Sequence, residues 1–488
     1  MKKMNLLAMS LVSAAALSFS SCSSNDDLTS GGGSNQSKVE SFYMTFAVQT
    51  PTSNGTRTQQ QTDKEPATAL ETKITSGTFY LVDQKTKEIV FTKNITASEL
   101  NNTTPESPAI GTTKSKIEVP VQDVKEGVTY IVYFLANTTD AKPWENIFAP
   151  AAEKFTATNK FDAGYATDNA FVMFNQNDKN SHADKYTVEF KAANKEISDP
   201  AKVSKTIMLD RVTARIDKPT TVEGITITAK YPEGATAEKK AAIDAEIAKV
   251  KTVTPSNYAI TNLSNKTNIM QKWDDAWTAL QIPEGTTHMQ KSGDLGDQWT
   301  LANYGWFADA AKNYVFENTT ATPTTMYFEY TVALDETKFS DTPDCTDGTF
   351  YRYNGVIYRS IAAIYAAYAD QPILFGGKTA EALKGELKIA DGKITATDAE
   401  LATFRKTNVI EVFVAGKTYY SQVITDKWLG TNTIQRNTVY KLNVKNIYNL
   451  GADVPNGKPD ENKPMYYLDV EVSVNPWVLS TQDVNLGE

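Results

Sequence analysis

The stretch Ser41-Phe42-Tyr43-Met44-Thr45-Phe46-Ala47-Val48-Gln49 puts Phe42, Met44, Phe46 and Val48 on one face, with Ser41, Thr45 and Gln49 among the residues of the other. Successive side chains of a β-strand point to opposite faces, so a period of two reads as a strand with one buried face. The same pattern returns in MYYLDVEVSVNPWVL, where Leu468, Val470, Val472 and Val474 alternate with Asp469, Glu471, Ser473 and Asn475. The chain is therefore expected to be mainly β, and the 23 Tyr and 20 Phe suit half-buried strands.

Between these two stretches further strands follow in quick succession. GTFYLVDQKTKEIVF (77–91) reads as a hairpin turning over DQKTK. KIEVPVQ (116–122) is interrupted by Pro120, which suggests a sheet edge, and VTYIVYFLAN (128–137) is a buried strand. TIMLDRVTARI (206–216) closes an all-β first region as one strand, and QRNTVYKLNVKNIYNLG (435–451) adds another. NVIEVFVAGKTYYSQVIT (408–425) is expected to be a hairpin turning at AGK.

Two stretches break the pattern. After Thr236, a capping residue, Ile243, Ile247 and Val250 recur at the spacing of one helical face. RSIAAIYAAYAD (359–370) reads as a short helix that ends before Pro372. Loop composition marks LTSGGGSNQS (28–37) as a tether and GADVPNGKPDENKP (451–464) as a flexible connection.

The chain has 488 residues, 41% hydrophobic and 22% charged, which suits more than one soluble domain. A net charge of -9, with no dense Lys/Arg cluster, argues against nucleic-acid binding. Lys2 and Lys3, the apolar run Leu6 to Phe19 and the small residues before Cys22 read as a targeting segment. LSFSSC resembles a lipobox, in which the cysteine, here Cys22, receives acyl chains, and the following SSNDD resembles the surface-export tag of Bacteroidetes lipoproteins. With Cys22 acylated, Cys345 is the one remaining thiol and no intrachain disulfide can form.

Nothing in the sequence points to catalysis. His182 and His288 lack a partner motif, and the common catalytic and nucleotide-binding patterns are missing. Cys345 lies among Asp341, Asp344 and Asp347, which would raise a thiol pKa and discourage thiolate chemistry. Neither these aspartates nor Asp178, Asn180, His182 and Asp184 have the spacing of an EF-hand loop. Neither a cofactor, a metal nor a catalytic residue is expected.

Arg57 is the one arginine before Arg211, and it stands in the polar tract SNGTRTQQQ that follows the Ser41–Gln49 strand. A disordered polar tract gives a protease an accessible backbone. Cleavage after Arg57 would release the Phe42 to Val48 strand and open a groove of unpaired backbone and apolar surface. A strand from another subunit could fill that groove. Burying four large side chains would contribute on the order of 6 to 12 kcal/mol before ordering costs.

LSFSSC, a strand followed by Thr-Arg, LDRVTARI, QRNTVYKLNVKNI and VEVSVNPWVLSTQDVNL, in this order, together resemble the Bacteroidetes fimbrillins, the type V pilins, and most of all the stalk subunit of the short fimbriae. The resemblance implies a signal peptide over 1–21 and a lipidated propeptide over 22–57. It implies transthyretin-like β-sandwich domains over 58–216 and 217–450, the second with a few short helices, and a loop with a donor strand over 451–488. An arginine-specific surface protease would cut between Arg57 and Thr58, removing Phe42, Met44, Phe46 and Val48. Leu468, Val470, Val472, Val474, Trp477 and Val478 would then dock in a neighbouring subunit.

The implied partners are further copies of the chain in a head-to-tail polymer, anchor and tip subunits, and host or bacterial surface receptors. The implied location is surface fimbriae, after an outer-membrane lipoprotein precursor, and the implied role is adhesion, auto-aggregation and biofilm formation. The competing reading is a monomeric surface lipoprotein that binds glycans through exposed aromatic residues.

Overall fold

The computed structural model describes residues 41–49, 68–101, 112–120, 122–137, 165–178, 182–195, 204–289, 312–371, 373–455, 467–475, 478–479 and 482–484. All of them fall in one compact unit spanning Glu40–Glu488. The fold is mainly β, with several sheets and a few short helices.

The first sheet contains β1 (Ser41–Gln49), β2 (Ser76–Asp83), β3 (Ile89–Thr96), β4 (Thr112–Pro120), β5 (Thr129–Ala136), β6 (Met173–Asn175), β7 (Thr187–Glu189) and β8 (Ser204–Arg211). Its path runs β3-β2-β5-β6-β8-β1-β4, with β7 on β5. The expected hairpin is present: β2 and β3 pair antiparallel, and the Asp83 side chain closes the turn by accepting from the Lys85 and Thr86 amides at 2.8 and 2.9 Å. Strand β4 ends on Pro120 at the edge of the sheet, as a residue without an N–H requires.

One apolar cluster takes Ile95 from β3 and Val119 from β4, the two ends of the path, so the sheet curls over a single core. Side chains of β2 and β5 are buried on both faces, because Tyr80, Val82, Ile131, Tyr133 and Leu135 pack on the other side against Val212, Ile269 and Phe316. Between β5 and β6 the backbone pairs at Ala136↔Met173, and the Asn175 amide extends the ladder: it accepts from the Phe134 amide and donates to the Val132 carbonyl, both at 2.8 Å.

A second set of sheets uses β9 (Ala214–Asp217), β10 (Val250–Thr261), β11 (Lys312–Val315), β12 (Thr325–Leu334), β13 (Lys417–Val423), β14 (Thr438–Tyr448) and β15 (Tyr467–Asn475). One sheet runs β11-β9-β14-β15 and ends on Gln482–Val484; another runs β10-β12-β13. They enclose one core, in which Ile216, Tyr440, Leu442 and Val444 of the first meet Ile260, Phe328, Tyr330 and Val332 of the second. A third, smaller layer packs the strands Phe350–Tyr353, Val356–Tyr358 and Glu411–Phe413 under the short helices Ile361–Ala367, Ala380–Leu387 and Asp398–Asn408.

Three expectations change. TIMLDRVTARI is two strands, not one: β8 pairs with β6 and β1, whereas β9 pairs with β11 and β14. The chain changes sheet at Val212 and Thr213, whose backbone bonds go to Val172 and Asn437. NVIEVFVAGKTYYSQVIT is not a hairpin, because Glu411–Phe413 pairs with Phe350–Arg352 while β13 pairs with β12. Its turn uses Ala415 and Gly416 at positive φ, and a Cβ on Gly416 would strike the Val332 carbonyl.

The third concerns the helix Ala237–Ile247. Thr236 does cap it, accepting from the Lys239 amide at 3.2 Å, but none of its residues is fully buried. Its face rests on the core through half-buried Ile247 alone, and Val250 already belongs to β10. The other helix forms as expected over Ile361–Ala367 with Ser360 as its cap, while Pro372 lies outside the described residues.

Candidate functional site

Strand β1 is an inner strand. It pairs antiparallel with β4 from Ser41↔Pro120 to Gln49↔Thr112, and parallel with β8 from Thr45↔Ser204 to Gln49↔Met208. Phe42, Met44 and Val48 are fully buried, as the alternation requires, while the Phe46 side chain lies outside the described residues. The Phe42 ring packs against Phe190 at 5.3 Å, and Val119 and Ile207 of the flanking strands belong to the same core. Withdrawing β1 would expose two strand edges and this apolar floor together.

Strand β15 pairs antiparallel with β14. Leu468 stands opposite Ile447, Val470 opposite Val444, Val472 opposite Leu442 and Val474 opposite Tyr440. These four partners are at most 1% exposed. A register shift between Val444 and Asn446 passes over Lys445, so that Asp469 faces Asn446 and Leu468 faces Ile447, while Glu471 and Ser473 face Asn443 and Lys441. One extra residue in β14 thus keeps the apolar residues of β15 opposite buried ones. Val478 lies beside Thr438 in a parallel bridge. Cys22, Arg57, Thr58 and Trp477 lie outside the described residues.

The structure also holds an ionic cluster that the sequence did not announce. The helix α1 (Ala69–Thr72) carries Glu71, which is 1% exposed. Glu71 Oε1 accepts from Arg215 at 2.8 Å, Tyr314 at 3.0 Å and Lys312 at 3.2 Å, and Oε2 accepts from the Thr68 amide at 2.9 Å. Burial pushes this carboxyl up, but the Thr68 amide and the Arg215 and Arg211 guanidinium groups outweigh it and hold the pKa at about 2. Arg211 donates to the Glu71 carbonyl and to Asn437 Oδ1, and Asn437 donates to Asp210, at 2.8, 2.8 and 2.9 Å. Arg436 is held by Glu317 Oε2 at 2.7 Å and the Ile269 carbonyl at 2.6 Å.

Arg211 and Arg215 lie in LDRVTARI and Arg436 lies in QRNTVYKLNVKNI. Their arginines in β-rich runs were the available signal, but Glu71 and Glu317 as partners were not legible.

Cys345, His288, His182 and Asp178 are engaged in packing or hydrogen bonds. Cys345 is buried, and burial followed by Asp347 and Asp344 pushes its thiol up to about 11. His288 Nε2 bonds Asn318 Oδ1 at 2.9 Å, and His182 packs on Trp277 with ring centroids 3.9 Å apart. Asp178 accepts from Gln176 at 2.9 Å. Among the described residues no three His, Cys, Asp or Glu side chains are placed to hold a metal ion.

Residues 411–483 match the family described as major fimbrial subunit protein type IV, fimbrillin, C-terminal. This span runs from the strand Glu411–Phe413 through β14 and β15. No curated protein sequence matches the chain. Among solved structures, a fimbrilin from Porphyromonas gingivalis W83 is similar at 14% identity, over 91% of this chain and 100% of that one, with a TM-score of 0.42. A fimbrial assembly protein from Parabacteroides distasonis ATCC 8503 is similar at 12% identity, over 59% of this chain and 81% of that one, with a TM-score of 0.32. A tip fimbrial protein from Porphyromonas gingivalis, truncated at its C-terminus, is similar at 13% identity, over 89% and 99%, with a TM-score of 0.32. Likenesses this distant do not separate a stalk from a tip subunit. Residues 411–483, which include β15, are thus similar to the C-terminal region of the fimbrillins.

Proposed function

We propose that the chain is a structural, non-catalytic shaft subunit of a cell-surface fimbria that polymerises by exchange of strands. The observation that carries this reading is the position of β1: an inner strand with Phe42, Met44 and Val48 in the core, joined to the body by the tract that holds Arg57. The precursor would be an outer-membrane lipoprotein acylated on Cys22, and an arginine-specific protease would cut it between Arg57 and Thr58. The loss of β1 would leave a slot between β4 and β8. Leu468, Val470, Val472, Val474, Trp477 and Val478 of another copy would fill it, with β15 resting on its own β14 before assembly.

The two sandwich domains, over 58–216 and 217–450, belong to the same proposal. So do anchor and tip subunits as partners, and host or bacterial receptors for adhesion, auto-aggregation and biofilm formation.

The test is sedimentation of the chain before and after an arginine-specific protease, with Arg57→Ala and a deletion of residues 466–488 as controls. Oligomers are expected after cleavage of the parent alone. Unchanged monomers after complete cleavage at Arg57, or oligomers in both controls, would sink the proposal.

A further inference from the structure

The chain has forty-two lysines and seven arginines, and the structure separates the two by environment. Six arginines fall among the described residues and none is exposed. Arg211, Arg215, Arg352 and Arg436 are at most 3% exposed, and the side chains of Arg359 and Arg405 are 12% and 17% exposed.

Each is tied to a carboxylate, a main-chain carbonyl or both. Arg211 and Arg215 are held at Glu71, and Arg436 at Glu317. Arg352 meets Glu411 through two bonds of 2.6 and 2.8 Å and also donates to the Leu450 carbonyl at 3.1 Å. Arg405 donates to Asp453 at 2.6 Å and to the Val412 carbonyl at 2.7 Å. Arg359 donates to the Asp341 carbonyl and stacks on Phe339.

The exposed cations of the described residues are lysines, Lys85 and Lys87 of the Asp83–Glu88 turn among them. The planar, forked guanidinium explains why arginine is used at the buried positions. It does not explain why arginine is missing from the exposed ones, where either cation serves solubility equally well.

A protease that recognises arginine must seat that side chain in its own pocket and draw the flanking backbone out. A guanidinium locked in a buried ion pair becomes available only when its surroundings open, so cutting there follows the small population of opened molecules. We infer that arginine placement makes the folded body, from β2 to β14, refractory to arginine-directed proteolysis, while its exposed lysines leave it open to lysine-directed cleavage. This deepens the processing reading above and rests on it for the role of Arg57. A protease able to cut at Arg57 would find no second address on the body.

The experiment incubates the folded full-length chain with an arginine-specific enzyme and, separately, with a lysine-specific one, and identifies the fragments by mass. The body is expected to persist with the first and to be lost with the second. Arginine is then substituted for the lysine that is cut earliest, and the arginine-specific enzyme is expected to gain a cut there. Cleavage at any of the six body arginines at a rate similar to Arg57 would overturn the inference. So would equal persistence with both enzymes, which would make general rigidity the protection, or a Lys→Arg variant that gains no cut. An intact body with Arg57 also uncut supports the inference while rejecting the processing reading.

Discussion

Glu71 Oε1 lies 2.8 Å from the Arg215 guanidinium, and both side chains are at most 2% exposed. Removing one partner of a buried ion pair leaves the other charge unpaired at a cost of about 3 to 5 kcal/mol. Glu71→Gln keeps the shape and removes the charge, so it should lower stability by about 3 kcal/mol. A urea titration at neutral pH measures this; a change within error would mean that the cluster contributes no net stability.

The same carboxyl sets a pH dependence. Its folded pKa of about 2 lies below the ordinary glutamate value of 4.5, so its contribution is complete above about pH 4.5 and is lost as the pH falls toward 2. The urea midpoint of the parent should therefore drop across this window more steeply than that of Glu71→Gln. Parallel curves for the two proteins would contradict the assignment.

Phe42 is fully buried on β1. Phe42→Ala should destabilise the uncut chain by about 3 to 5 kcal/mol. If β1 leaves on processing, the cut protein should melt at the same temperature with or without the substitution. Thermal scans of both forms give the comparison, and an equal loss in both would show that β1 stays in place.

On β15, Val472 stands opposite buried Leu442, and Glu471 stands opposite Asn443. An Asp at position 472 would place a charge in an apolar slot, and it forfeits a side chain whose burial is worth roughly 1.5 to 3 kcal/mol. Val472→Asp should abolish fibres in negatively stained preparations, and Glu471→Gln should leave them. Fibres of normal length from Val472→Asp would remove β15 from the assembly contact.

Arg352 bonds Glu411 twice and also reaches the Leu450 and Gly451 carbonyls, just before the segment that leads to β15. A lysine offers a point charge without the fork. Arg352→Lys should cost about 1 to 3 kcal/mol, because at least one buried acceptor loses its donor. It should also speed hydrogen exchange at the Gly451 amide, which now donates to Tyr420 at 3.0 Å. Exchange at the parent rate would place the cost elsewhere.

The alternation of Phe42, Met44 and Val48, the turn at Asp83 and the cap Thr236 depend on residues within a few positions of one another, and these features were legible in the sequence. So was the edge position of Pro120, because a missing N–H is a local property. Strand neighbours are a different matter. Backbone donors and acceptors look alike in every strand, so no local signal tells β1 to lie between β4 and β8, or β15 to lie on β14. For the same reason TIMLDRVTARI looked like one strand, until the neighbours of each half placed them in different sheets. For Glu71 the local pattern Thr68-Ala69-Leu70-Glu71 signals a helix cap and nothing more: it acquires its ionic role only when Arg211, Arg215, Lys312 and Tyr314 converge on it. The sequence determined which segments are strands and which of their faces are apolar. The tertiary structure alone decided which strands share an edge and which charges share a site, because burial and convergence depend on the whole chain.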